Sequence, residues 1–84
     1  MRNILITGAS SGIGAAMAQA YAAPEAVLLL HGRDENRLSK TAAACRERGA
    51  LVHTALIPVG DRAAMKRWIE DADDRHPLDL VIAN

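Results

Sequence analysis

Phenylalanine is absent from this chain, and tryptophan and tyrosine occur once each. A core without aromatic bulk must be built from Leu, Ile, Val, Ala and Met. The single cysteine, Cys45, excludes an intramolecular disulfide and any Cys-x-x-Cys metal site. No apolar run reaches the ~20 residues of a membrane-spanning helix, and the opening MRNILITG lacks a signal-peptide pattern. Ten basic side chains balance ten acidic ones, which removes the electrostatic footprint expected for nucleic acid or an anionic membrane. Arg33, Arg37, Arg46, Arg48, Arg62 and Arg67 are interleaved with acids, as on solvated helix faces. Together these absences point to a folded cytoplasmic domain with neither a nucleic-acid nor a membrane partner. At 84 residues, it buries only about 60–65% of the surface its unfolded form exposes, so its stability margin is narrow.

What is present is an alternation of buried-strand and helix patterns. Ile4, Leu5 and Ile6 form a short apolar run ended by glycine, as in a strand buried on both faces. From Ile13 onward, Ile13, Met17, Ala20 and Tyr21 recur at helical steps until Pro24, which predicts a helix with those residues inward. Ala26–His31 repeats the strand pattern and Gly32 punctuates it. Asp34 then caps a second helix with an inward stripe of Leu38, Ala42 and Cys45, stopped by Gly49. Leu51–Val59 reads as a third strand and Asp61 as the next cap. Met65, Trp68, Ile69 and Ala72 mark the inward face of a third helix, broken at His76-Pro77, and Leu78–Ala83 reads as a fourth strand. This order predicts an α/β fold, with a parallel sheet and three right-handed helical crossovers.

At the first strand–helix junction stands TGASSGIG, Thr7 to Gly14. Such a turn presents the free N–H groups of a helix start at the carboxyl edge of the sheet, where they attract phosphate. Pyrophosphate can approach the backbone only where side chains are absent, and helix and strand can lie close only where one position is small. Gly8, Gly12 and Gly14 meet those needs, and Ser10 and Ser11 add hydroxyl donors. A tight turn without a ligand is the alternative reading of the same glycines; their place at the first junction of an alternating pattern favours a dinucleotide.

The segment TGASSGIG closely resembles the cofactor motif of the short-chain dehydrogenases/reductases, and the similarity runs on through HGRDENRL to DLVIAN, covering essentially the whole chain. The resemblance implies a doubly wound Rossmann domain, present here as a partial one: four parallel strands in the order 3-2-1-4, with residues 1–84 forming the N-terminal cofactor-binding third and VIAN beginning the family's Asn-Ala-Gly motif. It further implies that Thr7, Gly8, Ser10, Ser11, Gly12, Ile13, Gly14 and Asn84 belong to the cofactor site. Gly32 occupies the place where NAD-preferring relatives carry an acid, and Arg33 matches the arginine of NADP-preferring relatives, so NADP is expected rather than NAD. Arg33 also reads as an ordinary exposed arginine, and Asp34 beside it could pair with its charge. Many relatives carry Asp-Val after the third strand, the aspartate facing the adenine; this chain has Pro58-Val59, which loses that carboxylate and leaves Val59 to pack against the ring.

The family's chemistry is hydride transfer between nicotinamide and a carbonyl or alcohol, with a Tyr-x-x-x-Lys pair as its acid/base apparatus. The only tyrosine here is Tyr21, with Glu25 four residues on, so Tyr21 reads as packing and no residue of this chain reads as catalytic. His31, His53 and His76 lack ligand spacing and read as strand-edge or loop residues, and Cys45 and Trp68 as core. The chain therefore reads as the NADP-binding portion of a short-chain oxidoreductase, inactive alone. A non-catalytic nucleotide-binding module is one alternative. A self-associating module is another, because the fourth strand would be an open edge and apolar sheet surface would lie bare, favouring a homo-oligomer.

Overall fold

The computed structural model describes residues 1–58 and 60–84, so the expectation attached to Val59 lies outside the described residues. Four strands, β1 (Arg2–Ile6), β2 (Ala26–Gly32), β3 (Leu51–Leu56) and β4 (Leu80–Ile82), alternate with three helices, α1 (Gly12–Tyr21), α2 (Glu35–Glu47) and α3 (Arg62–Arg75). All described pairings are parallel and the strand order is β3-β2-β1-β4, the order expected for a partial Rossmann fold. Ile6 aligns with Leu30 of β2 on one side and with Ile82 of β4 on the other. The carboxyl ends of the three strands thus finish together beside the glycine turn.

The period-two alternation of the strands divides the core in two. Ile4, Ile6, Leu28, Leu30 and Val52 pack with Ala18 of α1 and with Leu38, Ala42 and Cys45 of α2. Leu5 and Leu29 point the other way, against Ala72, Trp68 and Ile69 of α3. Every residue of β2 is buried, as a central strand with helices on both faces requires. The buried core is aliphatic apart from Cys45 and contains no methionine.

Both acidic caps form as expected: Asp34 accepts from the Arg37 N–H at 3.0 Å, and Asp61 from the Ala64 N–H at 3.0 Å. The inward face of α1 differs from the sequence expectation. Ile13 is 70% exposed and Ala20 is exposed, while Gly14 and Ala18 are buried, with Tyr21 packed at the margin of the core. The helix lies so close to the turn that a Cβ on Gly14 would collide with the Gly8 carbonyl. Closeness of approach therefore selects the small residues for the inner face and turns Ile13 outward.

The third and fourth strands are shorter than their patterns suggested. The Ile57 N–H still donates to the Gly32 carbonyl, and β3 ends at Leu56. Leu78 turns aside into a local bond, its N–H donating to the Asp73 carboxylate, while Asp79 is tied to Asn3 of β1: its N–H donates to the Asn3 carbonyl and its carboxylate accepts from the Asn3 N–H, and β4 begins at Leu80.

Candidate functional site

The glycine turn is held from both sides. Gly8 has φ +66°, in the left-handed region that favours glycine. The Asn84 side-chain amide donates to its carbonyl at 3.2 Å, and the Asn84 backbone N–H donates to Thr7 Oγ1 at 3.1 Å. The Thr7 N–H donates to Ile82, so the end of β4 is tied to the turn by backbone and side chain alike. From the other side, the Gly8 N–H donates to His31 Nδ1 at 3.1 Å and the Ala9 N–H to the His31 carbonyl at 2.7 Å.

At the start of α1, the N-cap Ser11 makes no side-chain capping bond. The first-turn N–H groups thus lack that partner and remain donors for an anion. A Cβ at Gly12 would meet nothing within 4 Å, so the approach to this helix end is open. Glycine at position 14 serves close packing, whereas glycine at position 12 leaves space.

A cavity of about 510 Å³ opens in front of the turn. Thr7, Gly8, Ser10 and Ser11 line it from the turn, His31 and Arg33 from the tip of β2, Pro58 and Gly60 from the loop beyond β3, Asp61, Arg62 and Met65 from the start of α3, and Asn84 from the end of β4. Six of the expected site residues therefore share one cleft: Thr7, Gly8, Ser10, Ser11, Arg33 and Asn84. Gly12, Ile13, Gly14 and Gly32 do not line it. Gly14 and Gly32 shape it from behind, the latter because a Cβ there would stand 2.8 Å from Ser10 Cβ.

Arg33 is exposed at the mouth and makes no ion pair among the described residues. Asp34 approaches Arg37 Nε at 3.9 Å instead. Where Pro58 supplies no carboxylate, the acidic group of the cleft is Asp61, whose oxygen already caps α3.

His31 is the residue whose part in the site the sequence reading missed. It is 9% exposed, and both ring nitrogens face backbone groups, Gly8 N and Ile57 O, each at 3.1 Å. The available signal was its position at the end of an otherwise apolar, fully buried strand. Tyr21 lies away from this cleft, in α1 against the core margin, with the Arg2 guanidinium 5.7 Å from its ring centre. His53 and His76 stack with centroids 5.2 Å apart, outside the cleft. Burial pushes the Cys45 thiol pKa upward, with Arg48 and Arg46 opposing. Among the described residues no cluster of His, Cys, Asp or Glu could hold a metal ion, and no helix is long and apolar enough to cross a membrane.

A parallel sheet in this order, with a glycine turn at the carboxyl end of its first strand and an open helix start facing a cleft, defines the nucleotide-binding half of a Rossmann-type fold. Residues 2–84 match the family model described as short chain dehydrogenase, and the chain belongs to that family. It is 41% identical over 68 residues to sulfoacetaldehyde reductase 2 of Chromohalobacter salexigens, covering 81% of this chain and 27% of that protein. Among solved structures, a short-chain dehydrogenase/reductase from Serratia marcescens superposes with a TM-score of 0.88 at 25% identity, over 99% of this chain and 35% of that one. A levodione reductase superposes with a TM-score of 0.83 at 32% identity, over 95% and 32%. The chain thus spans about a third or less of the length of each of these relatives. Members of this family use a nicotinamide dinucleotide.

Proposed function

We propose that residues 1–84 form the cofactor-binding portion of a short-chain oxidoreductase and that the cofactor is NADP in preference to NAD. The observation that carries the reading is the cleft itself. Its floor is the turn at Thr7, Gly8, Ser10 and Ser11, beside a helix start left open at Gly12, and its mouth holds Arg33, a guanidinium without an ion-pair partner among the described residues, next to a glycine instead of an acid.

The residues fit the group. The pyrophosphate would lie on the first-turn N–H groups of α1 and the hydroxyls of Ser10 and Ser11, with Thr7, Gly8, Gly12, Ile13 and Gly14 shaping that end. Arg33 offers a planar, charged fork to a 2′-phosphate, and Gly32 removes the carboxylate that would repel it. Asn84 steadies the turn. Bound there, the nicotinamide supplies or accepts hydride from a carbonyl or alcohol substrate. The general acid/base that this chemistry needs is assigned to no residue of this chain, so residues 1–84 alone bind without turning over.

Calorimetric titration of the 84-residue chain with NADP and with NAD, repeated on Arg33→Ala, tests the proposal. Tighter binding of NADP, lost in the variant, is the expected result. Equal affinity for the two dinucleotides in the native chain would overturn the NADP preference, and binding of neither would overturn the cofactor reading.

The open edge of the sheet favours a second property, self-association. β4 carries a neighbour on one side only, and Val81 within it is 48% exposed. A homo-oligomer paired along β4 would hide that surface. Light scattering over a dilution series should show mass falling with dilution, and a monomer at every concentration would refute it.

A further inference from the structure

We infer that His31 is a positioning residue for the glycine turn: its neutral imidazole holds the Gly8 N–H in place, and its protonation breaks that bond and loosens the turn. The consequence for cofactor affinity rests on the nucleotide reading of the cleft proposed above.

The tautomer follows from the partners. The Gly8 N–H can only donate, so His31 Nδ1, 3.1 Å away, must be a bare acceptor. The proton then sits on Nε2 and is donated to the Ile57 carbonyl, also at 3.1 Å. One neutral tautomer satisfies both ring nitrogens and ties the turn after β1 to the loop after β3. The His31 carbonyl meanwhile accepts from the Ala9 N–H at 2.7 Å, so one residue of β2 holds two consecutive amides of the turn.

An imidazolium carries a proton on each nitrogen. The second would point at the Gly8 N–H, donor against donor, in a position with 9% exposure. The surroundings offer little compensation for the added charge. From β2 and α3, the charged groups lining the same cleft are Arg33, Arg62 and Asp61, and the Asp61 carboxylate is engaged at its cap. The turn after β1 brings only Thr7, Gly8, Ser10 and Ser11 to the cleft. Trp68 of α3 covers the ring at 6.0 Å, with Asp71, Arg75, His53 and His76 lining a separate cavity beside it. The structural result of protonation is loss of the Gly8 N–H bond, which leaves the turn held by the Ala9 N–H on the His31 carbonyl and by the Asn84 amide on the Gly8 carbonyl.

The test uses the nitrogen-15-labelled 84-residue chain, as the native form and as His31→Asn and His31→Leu. The Asn Oδ1 can take the place of Nδ1 as acceptor for Gly8 and does not titrate in the range where imidazole does. In the native chain, the Gly8 and Ala9 amide resonances should move with the His31 ring signals as pH falls, and their exchange protection factors should drop. In His31→Asn both should stay level with pH. NADP affinity, measured alongside, should fall about tenfold more on acidification in the native chain than in His31→Asn. Comparing the two chains removes the contribution from titration of the 2′-phosphate itself.

Gly8 resonances that ignore the His31 titration, or an identical pH profile in His31→Asn, would overturn the inference. If no nucleotide binds at any pH while Gly8 still follows His31, the cofactor reading fails and the positioning role stands. Should His31→Leu fail to fold, the native and Asn chains alone decide the matter.

Discussion

The side-chain amide of Asn84 donates to the carbonyl of Gly8 at 3.2 Å, across a sequence separation of 76 residues. The same amide nitrogen would lie 2.8 Å from a Cβ placed on Gly14. One side chain from the end of the sheet thus fixes the turn and borders the space that glycine keeps clear. Asn84→Ala removes this donor while retaining the backbone bond to Thr7. Because the bond is exposed, the expected loss is modest, about 0.5–1 kcal/mol in urea-midpoint comparisons. Asn84→Asp should cost more, since it sets a carboxylate against a carbonyl.

Gly12 and Gly14 are separated by one residue and should respond differently to alanine. At Gly14 the added methyl meets the Gly8 carbonyl, and either the helix or the turn must move, at a cost of about 3 kcal/mol. At Gly12 the methyl meets nothing within 4 Å, leaving a backbone cost of about 1 kcal/mol for a positive φ. Thermal denaturation of the two variants should rank them in that order, and equal losses would contradict the close approach of α1 to the turn.

Gly32 has a packing role as well as its proposed part in cofactor choice. A Cβ there stands 2.8 Å from Ser10 Cβ and 3.2 Å from Leu38 Cδ1. Gly32→Asp, the obvious change toward NAD, should therefore lower the melting temperature and gain little NAD affinity. Adding Ser10→Gly removes the nearest obstacle, so the double variant should recover stability and bind NAD more tightly than Gly32→Asp does. Calorimetry with both dinucleotides on the two variants checks this; a full NAD gain in the single variant would show that Ser10 yields without cost.

Cys45 is wholly buried in the α2 face of the core, and burial raises its thiol pKa, opposed by Arg48 and Arg46. Iodoacetamide should therefore label it only as fast as the chain opens, and labelling should accelerate with urea in step with the loss of helix signal. A raised folded-state pKa means that the folded chain keeps this proton longer than the unfolded one. The associated stability is present below the ordinary thiol range and is lost as pH climbs through the folded value. Unfolding midpoints should decline above about pH 9 in the native chain and decline less in Cys45→Ala.

Much of the architecture was legible in the sequence because its causes are local. Ile4–Ile6 and Ala26–His31 read as buried strands from composition alone, and Asp34 and Asp61 became caps because their carboxylates reach N–H groups three residues on. The glycines of TGASSGIG were recognisable from their place between a strand and a helix. The inward face of α1 was not, because apolar periodicity assumes that the bulkiest residues go inside. Here the distance between helix and turn decided otherwise, seating Gly14 and Ala18 and leaving Ile13 in the open.

The ends of β3 and β4 and the role of His31 were hidden for a related reason. Each depends on a partner distant in the chain: Gly32 for Ile57, Asn3 for Asp79, and both Gly8 and Ile57 for the imidazole. By itself, the sequence determined the order of elements, the caps and a glycine turn between the first strand and helix, since dihedral preference, side-chain reach and burial patterns act within a few residues. Only the tertiary structure decided which side of α1 is inner, where the strands stop and which groups hold Gly8. Those outcomes follow from hydrogen-bond partners and approach distances that exist only once the strands stand side by side.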